Sequence, residues 1–218
     1  MQLEKTSTRP DAKRARSSAK TADKILKAAT TEFARWGYGG ARIERISARA
    51  GTNDRSLYYY FASKKKLFRA VLEQAYVRLA EAEVAIQIDQ LEPVEGIERL
   101  VTFTWEYYIE NPELLSLINT ENLYRGDHIR QSQLATTVSN TQLKIISKLT
   151  ERGAQAGIFR ANADPVHTFL TIAALSFFYL SNRYTLTTYL GVDLMEKKHR
   201  ERWLSHMKRV VVQSLSDS

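Results

Sequence analysis

The chain contains no cysteine, which excludes disulfides and thiolate metal sites and makes a reducing cytosol the expected compartment. Proline and glycine are scarce, 4 and 9 among 218 residues, so helices meet few interruptions. No stretch approaches the roughly 18 consecutive apolar residues of a membrane span. The opening MQLEKTSTRPDAKRARSSAK is basic but lacks the apolar run of a secretory signal. Sustained apolar–polar alternation is missing too, whereas helical spacing recurs nearly everywhere. An all-α cytoplasmic protein is expected, with no membrane association, no cofactor and no metal.

The charge that is present is unevenly placed. Residues 1–83 carry 18 Lys or Arg against 9 Asp or Glu, while residues 84–218 carry 14 against 15. All of the net +8 therefore sits in the first two fifths, as expected when one domain faces a polyanion.

Residues 1–20 are expected to form a disordered basic arm, in which Arg14, Arg16 and Lys20 are candidates to follow a nucleic-acid backbone. A helix over Ala22–Trp36 carries the stripe Ile25, Ala29, Phe33 and Trp36, and Gly37-Tyr38-Gly39-Gly40 stops it. Short helices follow at Arg42–Ala50, ended by Gly51, and at Asp54–Phe61, capped by Asn53. Ser63 caps a longer helix to Ala85. Five further segments, at Pro93–Ile109, Pro112–Leu123, Ile129–Ala156, Pro165–Leu190 and Leu194–Leu215, bring the total to about nine helices. The expected division is an arm at 1–20, a helix-turn-helix domain at 21–68 with a linking helix over 63–85, and a second domain at 86–218.

Two short helices joined by a turn at Gly51 fit a helix-turn-helix, whose second helix enters a major groove. At about 100° per residue, Leu57 and Phe61 fall on one side, the core side. Arg55, Ser56 and Tyr59 lie opposite, and Tyr58 and Tyr60 flank them. The three tyrosines fan over about 200° of arc, so one helical turn cannot bury them all. Arg55 suits bidentate pairing with guanine, Tyr59 a thymine methyl, and Tyr58 and Tyr60 phosphate oxygens. Ser63-Lys64 opens the next helix as an expected phosphate clamp, with Lys65 and Lys66 on a solvated face.

Ile25-Leu26-x-Ala28-Ala29, Phe33, Gly37-Tyr38, Ile43, Ile46, Ala50-Gly51, Leu57-Tyr58, Tyr60-Phe61, Ser63-Lys64 and Leu67 together resemble the N-terminal DNA-binding domain of the TetR family of bacterial transcriptional regulators. The resemblance covers about residues 22–70. It implies an all-α homodimer with an N-terminal three-helix DNA-binding unit and a C-terminal helical domain for ligand binding and dimerisation. It further implies a repressor that occupies a palindromic operator and is released by a small-molecule effector. Carried over by position, DNA contacts fall on Arg55, Ser56, Tyr58, Tyr59, Tyr60 and Lys64. Two departures stand out. Ala41-Arg42 stands where Thr or Ser often leads into the second helix, leaving Arg42 as a longer phosphate contact. Thr52-Asn53-Asp54 replaces the usual Val-Ser; Asn53 preserves the cap and Asp54 can accept from a cytosine amine.

In the near-neutral half, Trp105, Tyr108, Asn119, Asn122, Tyr124, Phe178, Tyr179 and Asn182 are candidate effector contacts. The polar group Asn119, Glu121 and Asn122 is the most informative part, and with Arg183 or Arg125 nearby it suggests a small aromatic acid or amide. Phe169, Ile172, Leu175, Phe178, Leu204, Val211 and Leu215 are the expected dimer interface. Two alternatives carry less weight. An architectural DNA-binding protein without an effector would not need so large a C-terminal half. An all-α enzyme would need chemistry that is missing: His128, His167, His199 and His206 read as isolated surface side chains, and no phosphate loop or nucleophile elbow occurs.

Overall fold

The computed structural model describes residues 9–130 and 132–216, with side chains for all of these except 9–15, 89, 133 and 135–141. The described residues form ten α-helices, a single 3-10 turn and no strand, so the chain is all-α. In order these are α1 (Arg9–Gly40), α2 (Ile43–Ala50), α3 (Asp54–Phe61), α4 (Lys64–Ala85), α5 (Pro93–Glu110), α6 (Pro112–Leu123), α7 (Gln133–Gln155), α8 (Pro165–Ser181), α9 (Arg183–Leu190) and α10 (Lys197–Leu215).

Several boundaries differ from expectation. The first helix starts at Arg9, so residues 9–20 are helical instead of a disordered arm. Alanine, lysine and arginine are strong helix formers, and extending a helix already nucleated at the core costs little. Residues 1–8 and the Arg14 side chain lie outside the described residues; Arg16 and Lys20 are exposed on α1. The long Pro165–Leu190 segment splits at Asn182, whose side-chain amide donates to the Phe178 carbonyl at 2.9 Å and competes with the helical ladder. That split makes ten helices where nine were expected. The Asp193 carboxylate accepts from the Met195 N–H at 2.8 Å, and the turn it forms delays α10 to Lys197.

Two compact units emerge. The first comprises the described parts of Met1–Leu72 together with Leu117–Gln131, and the second Glu73–Ser116 with Ser132–Ser218. Neither matches a single break near residue 86, because α4 and α6 each supply residues to both units.

In the first unit, α1, α2 and α3 pack on one another around Ile25, Phe33, Ile46, Leu57, Leu67 and Phe68, all fully buried. Phe33 and Phe68 meet edge to face at 4.8 Å. Trp36 does not join this core. It is half exposed, with the Arg35 and Arg45 guanidiniums 5.0 and 5.4 Å from its ring. Gly37 ends the straight part of α1 at φ 64°, a value that side-chain-bearing residues rarely adopt.

In the second unit, α5 packs against α7, α8 and α10. Trp105 meets Tyr179 edge to face and Tyr179 stacks on Trp203, each at 5.2 Å, and the Tyr179 hydroxyl donates to the Leu194 carbonyl at 2.7 Å. A Cβ on Gly153 would enter the Phe159 ring, so that close approach requires glycine.

Candidate nucleic-acid interface and effector region

The sequence offers α2 no Ser or Thr cap, and the Arg42 side chain makes no capping bond. A carboxylate from α1 takes its place. Glu32, only 2% exposed, accepts from the Arg42 N–H at 3.1 Å and from Arg45 Nε at 2.6 Å. Arg45 also donates to the Gly40 carbonyl at 2.8 Å. One buried acid thus satisfies the free N–H at the start of α2 and fixes that helix against α1. Arg42 itself remains exposed. Gly51 then makes the turn in the left-handed region, at φ 65°.

In α3 the Asn53 side chain accepts from the Ser56 N–H at 2.9 Å, the expected cap. Leu57 is fully buried and holds the helix to the core. Tyr59 is 82% exposed and Tyr58 46%; Arg55 and Asn53 are exposed, while Ser56, Asp54 and Tyr60 are half-buried. Phe61 is half-buried, not a core residue, and its ring lies 6.5 Å from Tyr60. Two short turns of helix present more aromatic surface than a three-helix core can cover.

The chain leaves α3 through a strained turn. Ala62 sits at φ 57°, ψ −35°, and the Ser63 N–H donates back to the Phe61 carbonyl at 2.6 Å, a γ-turn. Ser63 Oγ accepts from the Lys66 N–H at 3.1 Å and so caps α4. Lys64 is placed differently from a free phosphate clamp. Its ammonium donates to the Ala41 carbonyl at 2.8 Å and lies 4.9 Å from the Tyr38 ring centre. Burial, reinforced by Arg42, lowers its pKa. Lys65 pairs with Asp127 at 2.6 Å, and that bond holds the Asp127 carboxyl below the usual range.

The first unit also contains a clasp that sequence patterning did not reveal. His128 is buried, not a surface histidine, and its Nδ1 lies 2.7 Å from Glu121 Oε2. Glu121 Oε1 accepts from the His128 and Ile129 N–H groups at 2.8 and 2.9 Å. The imidazole is ringed by Tyr38 at 4.4 Å, Phe68 at 4.8 Å and Tyr124 at 5.3 Å. One carboxylate therefore closes the turn after α6 onto aromatic rings from α1 and α4. The apolar face of α6 signalled only that Glu121 needed a partner; the partner lies across a turn whose path no helical period reveals.

The expected effector residues are divided between the two units. Asn119, Asn122 and Tyr124 belong to the first unit and are exposed. Trp105, Tyr108 and Tyr179 are buried in the second unit, Asn182 is bonded to Phe178, and the Phe178 ring is exposed. Arg183, expected near an acidic ligand, donates to the Leu180 carbonyl at 2.7 Å and to the Tyr184 hydroxyl at 2.9 Å. Of the expected dimer stripe, Ile172, Val211 and Leu215 are buried in the protomer's own core; Phe169, Leu175 and Leu204 are partly covered. The stripe mixed two helix faces, because α8 is apolar on both.

The second unit does contain a cavity of about 430 Å³, lined by Glu83 and Val84 of α4, Ile88, and Lys144, Ile145, Ser147, Lys148 and Glu151 of α7. Glu83 is 3% exposed, and burial pushes its carboxyl up to about 7 against the lowering effect of a hydrogen bond from Gln142. Burial, with Tyr76 and Glu83 nearby, pushes the Tyr108 hydroxyl up to about 12.

A tri-helical unit whose third helix is anchored by one leucine and exposes arginine and tyrosine defines a helix-turn-helix regulator. A profile described as bacterial regulatory proteins, tetR family, matches residues 25–71, and one described as a tetracyclin repressor-like C-terminal domain matches residues 93–211. The chain belongs to the tetR family of bacterial regulatory proteins. It is 40% identical over 208 residues to the HTH-type transcriptional repressor NicS of Pseudomonas putida, covering 95% of this chain and 98% of that relative. The HTH-type transcriptional repressor SCO4008 of Streptomyces coelicolor is 39% identical over 113 residues, which is 51% of this chain and 55% of that protein. Among solved structures, the transcriptional regulator SCO4942 of Streptomyces coelicolor superposes with a TM-score of 0.66 at 24% identity, over 87% of this chain and 97% of its own. The ketosteroid transcriptional regulator KstR2 of Mycobacterium tuberculosis gives a TM-score of 0.63 at 16% identity, over 90% and 95%. These two likenesses concern the fold.

Proposed function

We propose that this chain is a cytoplasmic transcriptional repressor that binds a palindromic operator as a homodimer and leaves it when a small molecule occupies the second unit. The observation that carries the reading is the exposed Arg55–Tyr58–Tyr59 face of α3, held outward by buried Leu57. Arg55, Ser56 and Tyr59 read base edges, Asp54 discriminates against bases without an amine, and Arg42, Asn53, Tyr58 and Tyr60 meet the phosphates. Lys64 acts from behind, holding Ala41 so that Arg42 faces the backbone. Repression is the activity named for the Pseudomonas putida relative, which aligns along nearly its whole length.

Dimerisation is proposed through the outer face of α8. Val166, Leu170 and Phe178 are exposed there, while Thr168, Ile172 and Ser176 on the opposite face are buried. A helix apolar on both faces normally has a partner on each. A C₂ pair would place two α3 helices on successive half-sites. Footprinting the intergenic DNA around the protein's own gene tests the reading. A two-fold-symmetric protected site at moderate salt is expected; protein that coats DNA without sequence preference would instead indicate an architectural role.

A further inference from the structure

The cavity in the second unit is half open: Val84, 55% exposed, Ile88 and Ile145 form its apolar side, and Lys144, Lys148 and Glu151 its charged rim. Glu83 lines it and is almost wholly removed from water. The Gln142 side chain hydrogen-bonds this carboxyl group, yet its Oε2 has no hydrogen-bond partner among the described residues. A buried acceptor without a donor is costly, and it is retained where something else supplies the donor. Near neutrality the group lies at the midpoint between acid and carboxylate, because burial has pushed it up to about 7. The titratable groups around it are Tyr76 on α4, Tyr108 on α5, and Lys144, Lys148 and Glu151 on α7. The tyrosines carry no positive charge, and what acts on the Glu83 carboxyl is burial and the Gln142 hydrogen bond, not the charge of the exposed Lys144 and Lys148. The arginine expected to attract an acid is engaged elsewhere, at Leu180 and Tyr184.

Resting on the effector-responsive reading above, we propose that this cavity is the effector site and that Glu83 selects a small, largely apolar molecule with an N–H donor: an amine, an amidine or an aminated nitrogen heterocycle. The donor meets Oε2, the apolar body fills the space between Val84, Ile88 and Ile145, and simple carboxylic acids are rejected. An anion would bring a second negative charge to an acid already short of compensation. A donor, above all a cationic one, removes the existing penalty.

Calorimetric titration of the full-length protein at pH 8 with benzylamine, benzamidine and 2-aminopyridine, each against benzoate, tests the proposal. At least one nitrogen compound is expected to bind saturably and at least tenfold more tightly than benzoate, with at least a tenfold loss in Glu83→Gln. Carboxyl-labelled wild-type protein provides a readout independent of any variant: the Glu83 Cδ resonance should move on adding the bound amine and stay in place with benzoate. Binding of benzoate alone, amine binding that leaves that resonance unmoved or is unaffected by Glu83→Gln, or no binding by any of the three would overturn it. The footprint of unliganded protein separates this from the broader reading. A symmetric footprint without amine binding defeats only the ligand assignment, whereas a missing footprint defeats the regulator itself.

Discussion

Among the described residues Tyr59 makes a ring contact with its neighbour Tyr60 alone, and it projects most of its surface into solvent. A side chain so placed adds almost nothing to the fold. Tyr59→Ala is therefore expected to change stability by less than about 0.5 kcal/mol, yet weaken operator binding at least tenfold, about 1.4 kcal/mol. Urea denaturation and gel-shift titration at fixed salt would read the two effects separately. Glu83 shows the converse, a single side chain that works against the fold. Its carboxyl is pushed from 4.5 to about 7 by burial, so between these values the folded state keeps a proton that the unfolded state has released. Stability then falls as pH rises through that window, by about 3 kcal/mol in total, and the contribution is fully present only below 4.5. Glu83→Gln should leave acid stability near wild type and gain steadily over it from pH 5 to 8. Equal pH profiles for the two proteins would mean that the carboxyl is solvated. Tyr76, Tyr108, Lys144, Lys148 and Glu151 face the same region.

The γ-turn at Ala62 joins α3 to α4 through two residues, Ala62 and Ser63, and it sets where α3 stops. A residue with a Cβ at φ 57°, ψ −35° is strained, so Ala62→Gly is expected to stabilise the protein by up to about 1 kcal/mol. A drop in melting temperature would show that alanine is not strained there. The turn after α6 rests on Glu121. Glu121→Ala strands the His128 and Ile129 N–H groups in a buried setting, at a cost of about 2–4 kcal/mol. Hydrogen exchange should show residues 124–130 losing protection before α1 does. Unchanged protection there would assign the turn's order to the ring contacts of His128 alone.

For the whole protein, the proposed dimer rests on the outer face of α8, which would bring two copies of α3 to the two half-sites of the proposed operator. Leu170→Glu combined with Phe178→Glu places charges on residues that are 53% and 60% exposed in the protomer, so folding should survive. Sedimentation is expected to show a monomer, and operator affinity should fall by several orders of magnitude. A dimer that persists would move the interface elsewhere on the second unit. Electrostatics act across the same whole: the excess positive charge lies in residues 1–83, so DNA affinity should fall steeply with salt.

The three-helix DNA-binding unit was legible in the chain because its signals are local. Helical spacing placed Leu57 inside and Tyr59 outside, Asn53 capped α3, Gly37 and Gly51 took positive φ, and composition put the basic charge in the first two fifths. The partners of Glu32, Lys64 and Glu121 were not legible, nor was the burial of His128. Each depends on residues brought together by turns from different helices, and a helical period carries no record of what lies across a turn. The same limit explains the effector and dimer stripes. On α8 both faces are apolar, so spacing alone could not tell the face buried in the protomer from the one left open. The order of helices and the outward face of α3 follow from neighbouring residues. Which acid is buried, which lysine is tied down and which cavity holds a carboxyl group with one oxygen left without a donor follow only from packing at long range.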